Sequence, residues 1–114
     1  MSKDIVDLFF KASHDSDVET AMSLFTEDGV WIDPTGKVYE RHEIEAYLVQ
    51  QIGVLHDFHS QGISVNYSEI VQDDADKVYI SATVNAADGT ELKRFVDMFV
   101  MRDGKIAVKD VFGK

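Results

Sequence analysis

The sequence has 114 residues, the size of one domain, and an apolar fraction of 45% that excludes an intrinsically disordered chain. Its 21 acidic and 11 basic residues give a net charge of −10, a surface that repels phosphates, so neither nucleic acid nor a membrane is expected as a partner. The absence of cysteine removes disulfides and thiolate chemistry, and with no long apolar run and Asp4 and Asp7 interrupting the start, a cytoplasmic location is expected.

Lys3 to His14 place Ile5, Leu8, Phe9 and Ala12 at helical spacing. Ser16 with Glu19 reads as a capping box for a second helix that buries Val18, Ala21, Met22 and Phe25 and stops at Gly29. Val30 to Asp33 predict a short strand, Asp33-Pro34-Thr35-Gly36 a turn, and Lys37 to Tyr39 the returning strand. A third helix is expected from Arg41 to Ile52, with Ile44, Leu48 and Ile52 inward, Tyr47 beside them and Gly53 as its stop.

From Gly62 the period changes to two. Ile63, Val65 and Tyr67 alternate with polar residues, as do Val78, Ile80, Ala82 and Val84. Asp73 to Asp76 reads as a solvated turn, and a calcium loop there would lack the EF-hand spacing. Asp88-Gly89 is a hairpin signal; strands Glu91 to Met101 and Lys105 to Phe112 follow, joined at Asp103-Gly104. Helices first and a meander of four long strands last predict an α+β fold, with the helices on one face of a curved antiparallel sheet.

One stretch carries more than a fold class. Leu24-Phe25-Thr26-Glu27-Asp28-Gly29-Val30-Trp31-Ile32-Asp33-Pro34 resembles the helix-to-hairpin signature of nuclear transport factor 2-like domains, and His42 to Leu48 and Asp110 to Gly113 also fit. The resemblance covers nearly the whole chain, 1–114, as one cone-shaped domain, and is strongest to the SnoaL-like and ketosteroid isomerase branch. It implies a general base at Asp33 and, at Asp97, a protonated acid that donates to an enolate oxygen, as in the isomerase that is the usual example of a neutral carboxyl at pH 7. Phe9 stands where the isomerase carries its second donor, a tyrosine.

Alternation tests part of this without the family. Phe95, Asp97, Phe99 and Met101 share one strand face, so Asp97 sits among apolar side chains that disfavour a charged carboxyl. The same rule puts Asp110 on a face with Ile106, Val108 and Phe112, where it could also activate water for hydrolysis. His56-Asp57-Phe58-His59 falls after the third helix and toward the pocket mouth; its spacing could serve a metal, but no further ligand is expected nearby, and neither metal nor cofactor is predicted. Trp31, Tyr47, His56 and His59 join Phe9, Phe95, Phe99 and Asp110 as expected substrate-contacting residues.

The expected function is a SnoaL-like enzyme of isomerase, cyclase or dehydratase type, acting on a small apolar carbonyl compound by proton abstraction. The alternative is a non-catalytic small-ligand-binding or dimerisation module of the same fold. A homodimer through the sheet is expected, because the strand face bearing Arg94, Val96, Met98 and Val100 carries apolar area that the helices would leave open.

Overall fold

A computed structural model describes residues 2–74 and 76–114. In chain order the elements are α1 (Ser2–His14), α2 (Val18–Ser23), β1 (Phe25–Ile32), β2 (Val38–Glu40), α3 (Arg41–Ser60), β3 (Ser64–Tyr67), β4 (Val71–Asp74), β5 (Lys77–Asn85), β6 (Glu91–Arg102) and β7 (Lys105–Gly113). Ala75, within the expected Asp73 to Asp76 turn, lies outside the described residues.

The strands form one sheet in the order β2-β1-β7-β6-β5-β3, with β4 also paired to β5. The meander from β5 to β7 is antiparallel, as its short polar turns require. Asp103 and Gly104 both take positive φ, the conformation of a tight primed hairpin turn. The sheet is mixed rather than purely antiparallel, because β1 lies parallel to β7. The chain reaches β7 only after α3 and the whole meander, and β7 then lies beside β1 as an interior parallel pair, with β2 outside it.

Several boundaries differ from the sequence reading. The cap of α2 is Asp17, whose carboxylate accepts the Thr20 N–H at 3.2 Å, and not Ser16. That helix ends at Ser23, and Phe25 already belongs to β1. Gly29 therefore lies inside a strand: a Cβ there would stand 3.1 Å from the Thr26 carbonyl and 3.2 Å from that of Ile106, so the missing side chain lets β1 and β7 approach. Gly53 does not stop α3, which begins at a Glu40–Glu43 capping box and continues to Ser60, with Gly62 at φ +75° beyond it. The segment from Ser64 to Asp74 is two short strands, β3 and β4, both laid along β5.

The core lies between the helices and the inner sheet face. Val6, Phe9 and Ala12 of α1, Ile44, Leu48 and Ile52 of α3, and Val78, Ile80, Phe99, Met101 and Ile106 of the sheet are all buried. Phe9 is its hub: its ring meets Phe10, Phe25, Trp31 and Phe99 edge-on at centroid separations of 5.5 to 6.3 Å. Each such pair contributes roughly 0.5–1.5 kcal/mol beyond the buried area. Among the described residues no helix is long and apolar enough to cross a membrane.

Candidate functional site

The helices do not fill the whole concavity. A cavity of about 630 Å³ remains between α1, α3 and the inner face of the sheet. That is within the ordinary range for a small-molecule site. Its wall is largely apolar and aromatic, with Phe9, Phe10, Trp31, Tyr47, Phe95 and Val111 among its residues. Charged and titratable groups gather at the exposed mouth, where α1 and α3 end: His14 and His59 stand with ring centroids 6.3 Å apart, near Lys11 and Asp15.

Two charged side chains lie inside. Asp97, on β6, and Lys109, on β7, both line the cavity and are both buried, at 8% and 4% exposure. The Lys109 Nζ stands 3.5 Å from Asp97 Oδ2. It also lies 4.1 Å from the centre of the Trp31 ring, 5.6 Å from Phe99 and 5.9 Å from Phe9. Strand register explains the placement, since Lys109 pairs with Trp31 on one side and with Phe99 on the other. Burial among these rings pushes the Lys109 ammonium down from its ordinary value, and the adjacent Asp97 carboxylate opposes that fall.

Lys109 is absent from the sequence reading because strict alternation sends it outward. A β-bulge between the Met101–Ile106 and Val100–Val108 pairs adds one residue to β7. Beyond it the parity reverses: Lys109 and Val111 face the cavity, and Asp110 turns to the opposite face with Val108 and Phe112. Asp110 is therefore not on the lining. A lysine in the middle of β7, between Val108 and Asp110, was the available signal, and only the bulge gives it meaning.

The remaining expected residues divide. Phe9, Trp31, Tyr47, His59, Phe95 and Asp97 are brought together around the cavity. Phe99 is fully buried behind it, in contact with the Phe9 and Phe10 rings rather than on the lining. His56 is exposed on α3 and does not reach it; the extension of this helix, not a loop, carries both histidines.

Asp33 directly follows β1, and its carboxylate is committed to the turn. Oδ1 accepts the Thr35 N–H at 2.9 Å, the Thr35 hydroxyl at 2.6 Å and the Lys37 N–H at 3.1 Å. These bonds favour the ionised form and hold its pKa below the usual carboxylate value, with the Thr35 hydroxyl as the largest cause. Pro34, and not Asp33, contributes to the cavity wall. The expected base thus takes a turn-forming place, and the expected neutral donor, Asp97, has an ammonium beside it.

Two tyrosines complete the wall. The Tyr67 hydroxyl is pushed up to about 12, first by burial and then by the Asp97 carboxylate. Tyr47 also rises to about 12, through burial and then the charge of Asp33; its ring stacks on Tyr39 at 3.9 Å and meets Trp31 edge-on. Both stay neutral at physiological pH and keep an O–H to donate. Phe10, whose ring centroid lies 4.9 Å from that of Tyr67, was not singled out by sequence. The indole N–H of Trp31 is buried and finds no hydrogen-bond partner among the described residues, an unusual state for a donor in a cavity wall.

Comparison with known proteins agrees with this architecture. The model of the SnoaL-like domain matches residues 6–109. Among solved structures, a candidate polyketide cyclase of Sinorhizobium meliloti is 23% identical, with 95% of this chain and 93% of that one covered and a TM-score of 0.69. SalBIII, an epoxide hydrolase/cyclase-like enzyme of pyran ring formation in salinomycin, is 22% identical over 99% and 90% of the two chains, with a TM-score of 0.74. A candidate ketosteroid isomerase of Kribbella flavida is 13% identical over 99% and 77%, at a TM-score of 0.73. At these identities the likeness is one of fold. No curated protein gives a significant match by sequence.

Proposed function

The chain belongs to the SnoaL-like family, and within that family we propose that it is an enzyme of isomerase, cyclase or dehydratase type that acts on a small, mostly apolar carbonyl compound by proton abstraction. The observation that carries this reading is the buried Asp97–Lys109 pair in a cavity otherwise walled by aromatic and aliphatic side chains. Strongly desolvated charges in a cleft are costly to fold around, and they concentrate at functional sites.

The geometry supports the following roles. A carbonyl oxygen directed at Lys109 receives a proton or a strong hydrogen bond from the ammonium, whose lowered pKa makes it the better acid. The Asp97 carboxylate, 3.5 Å from that ammonium, is then placed to take a proton from the carbon beside the carbonyl. Tyr67 or the free indole N–H of Trp31 supplies a further donor for the developing oxyanion. The base is thus Asp97 rather than Asp33, and the donor is Lys109 rather than a neutral Asp97.

β-Tetralone, a bicyclic apolar ketone, tests the reading. In D₂O its α-protons should exchange for deuterium faster with the protein than with the Asp97→Asn variant, followed by NMR. Equal exchange with parent and variant would remove the proton-transfer role. The non-catalytic reading has its own support in the turn-bound Asp33; under it β-tetralone shifts the unfolding temperature without any accelerated exchange.

A further inference from the structure

Lys109 has a second chemical capacity beyond donating a proton. We propose that its amine captures an aldehyde or ketone carbonyl in this cavity as a covalent imine. The inference rests on the reading that a carbonyl compound occupies the cavity, and adds the bond by which it is held.

An ammonium has three N–H donors to satisfy. Among the described residues the acceptor Lys109 finds is Asp97 Oδ2, at the long distance of 3.5 Å. The rest of its surroundings are the faces of Trp31, Phe99 and Phe9. A neutral amine has less to lose in such a place, and burial moves Lys109 in that direction. The neutral amine is also the nucleophile. Lys109 is shielded from bulk water yet lines the cavity, so a bound ligand reaches it while competing water is limited.

The step balances without any further reagent. Asp97 takes one ammonium proton, which frees the lone pair to attack the carbonyl carbon. The C=O π pair moves to oxygen, forming a carbinolamine, and the proton returns from Asp97 to that oxygen. Loss of water, which carries away two of the original three ammonium protons, leaves an iminium with one. The iminium draws electrons from the neighbouring C–H bond more strongly than the carbonyl did, and Asp97 is the adjacent carboxylate that receives the proton. Capture of the carbonyl and proton abstraction are consecutive uses of one pair of residues.

Reductive trapping tests this on the whole protein. With 2-naphthaldehyde and sodium cyanoborohydride at neutral pH, intact mass should show one naphthylmethyl group per chain, mapped to the peptide containing Lys109. The lone tryptophan, Trp31, reports occupancy of the cavity independently by fluorescence. Lys109→Arg keeps the charge but offers no comparable nucleophile, and should abolish the adduct. The Asp97→Asn/Lys109→Met double variant should do the same without leaving an unpaired charge, should the arginine not fit. If the aldehyde saturates the Trp31 signal but no adduct forms at Lys109, or label spreads evenly over surface lysines, the imine is overturned and the acid–base reading stands. If neither the aldehyde nor β-tetralone changes the Trp31 signal, the reading of the cavity fails and the imine with it.

Discussion

Replacing Asp97 with Asn separates a charged pair from two unrelated buried groups. The two side chains are 11% and 5% exposed and 3.5 Å apart, so the substitution leaves an ammonium in a nearly dry site without its counter-charge. Breaking a buried pair typically costs about 3–5 kcal/mol. The long contact argues for the lower end, about 3 kcal/mol, or roughly a 10–20 °C fall in unfolding temperature for a chain of this size. The pH dependence has a definite sign. Burial lowers Lys109, so the folded state releases that proton sooner than the unfolded state, and stability rises with pH between the native and the ordinary lysine value. Asp97 is what opposes this fall, so its loss moves the native value lower still and opens the window earlier. The deficit of Asp97→Asn should therefore be larger at pH 7 than at pH 9.5. Thermal unfolding of Asp97→Asn, Lys109→Met and the double variant at both pH values measures it, and the double variant should be more stable than either single one. An Asp97→Asn protein as stable as the parent at pH 7, or additive losses in the double variant, would refute the pairing.

Phe9→Ala should cost about 3–5 kcal/mol, because a ring that meets four others is replaced by space the core cannot close; denaturant unfolding measures it. Asp33→Asn should destabilise at neutral pH and lose that effect in acid. The folded carboxyl is held below its unfolded value, so its contribution is present above the latter and disappears as pH falls through the former; melts at pH 7 and pH 3 compare the two. Val96 and Phe112 pair across the outer sheet face and are 44% and 55% exposed, so a two-fold dimer is expected there. Light scattering should give twice the chain mass for the parent and the monomer mass for Val96→Asp.

Much of this molecule is legible in its residues. Period-two runs in β5 and β6 place Ile80, Val84, Asp97 and Phe99 correctly inward, because both strands run without interruption there. The hairpin and αL turn signals at Asp88-Gly89 and Asp103-Gly104 hold for the same local reason. What was not legible depends on partners distant in sequence. Phe25 is helical by pattern and a strand by virtue of Ile106, its neighbour across the sheet. Gly53 reads as a stop, yet Ile52 packs on the core and carries α3 past it. Asp97 reads as a neutral donor by its apolar strand face, but Lys109, brought beside it by the β7 bulge, is a partner that alternation does not supply; Asp33 is the local exception, held by Thr35 and Lys37 in the turn that the sequence does show.

The bulge in β7 sets the charge balance of the interior. With β7 in unbroken register from the Met101–Ile106 pair, Asp110 would fall opposite Asp97 and share its face, and Lys109 would project from the other side. Two carboxylates would then confront one another across neighbouring strands in an apolar enclosure, and one of them would have to hold a proton for the sheet to close. One inserted residue exchanges that acid–acid confrontation for an acid beside a base. The cavity acquires a proton donor and a proton acceptor with no net charge, and Asp110 is delivered to the side where water can solvate it. A one-residue insertion or deletion within the 106–108 segment is therefore a change of chemistry as well as of backbone, and chains of this fold that differ there should be expected to differ in what their cavities do.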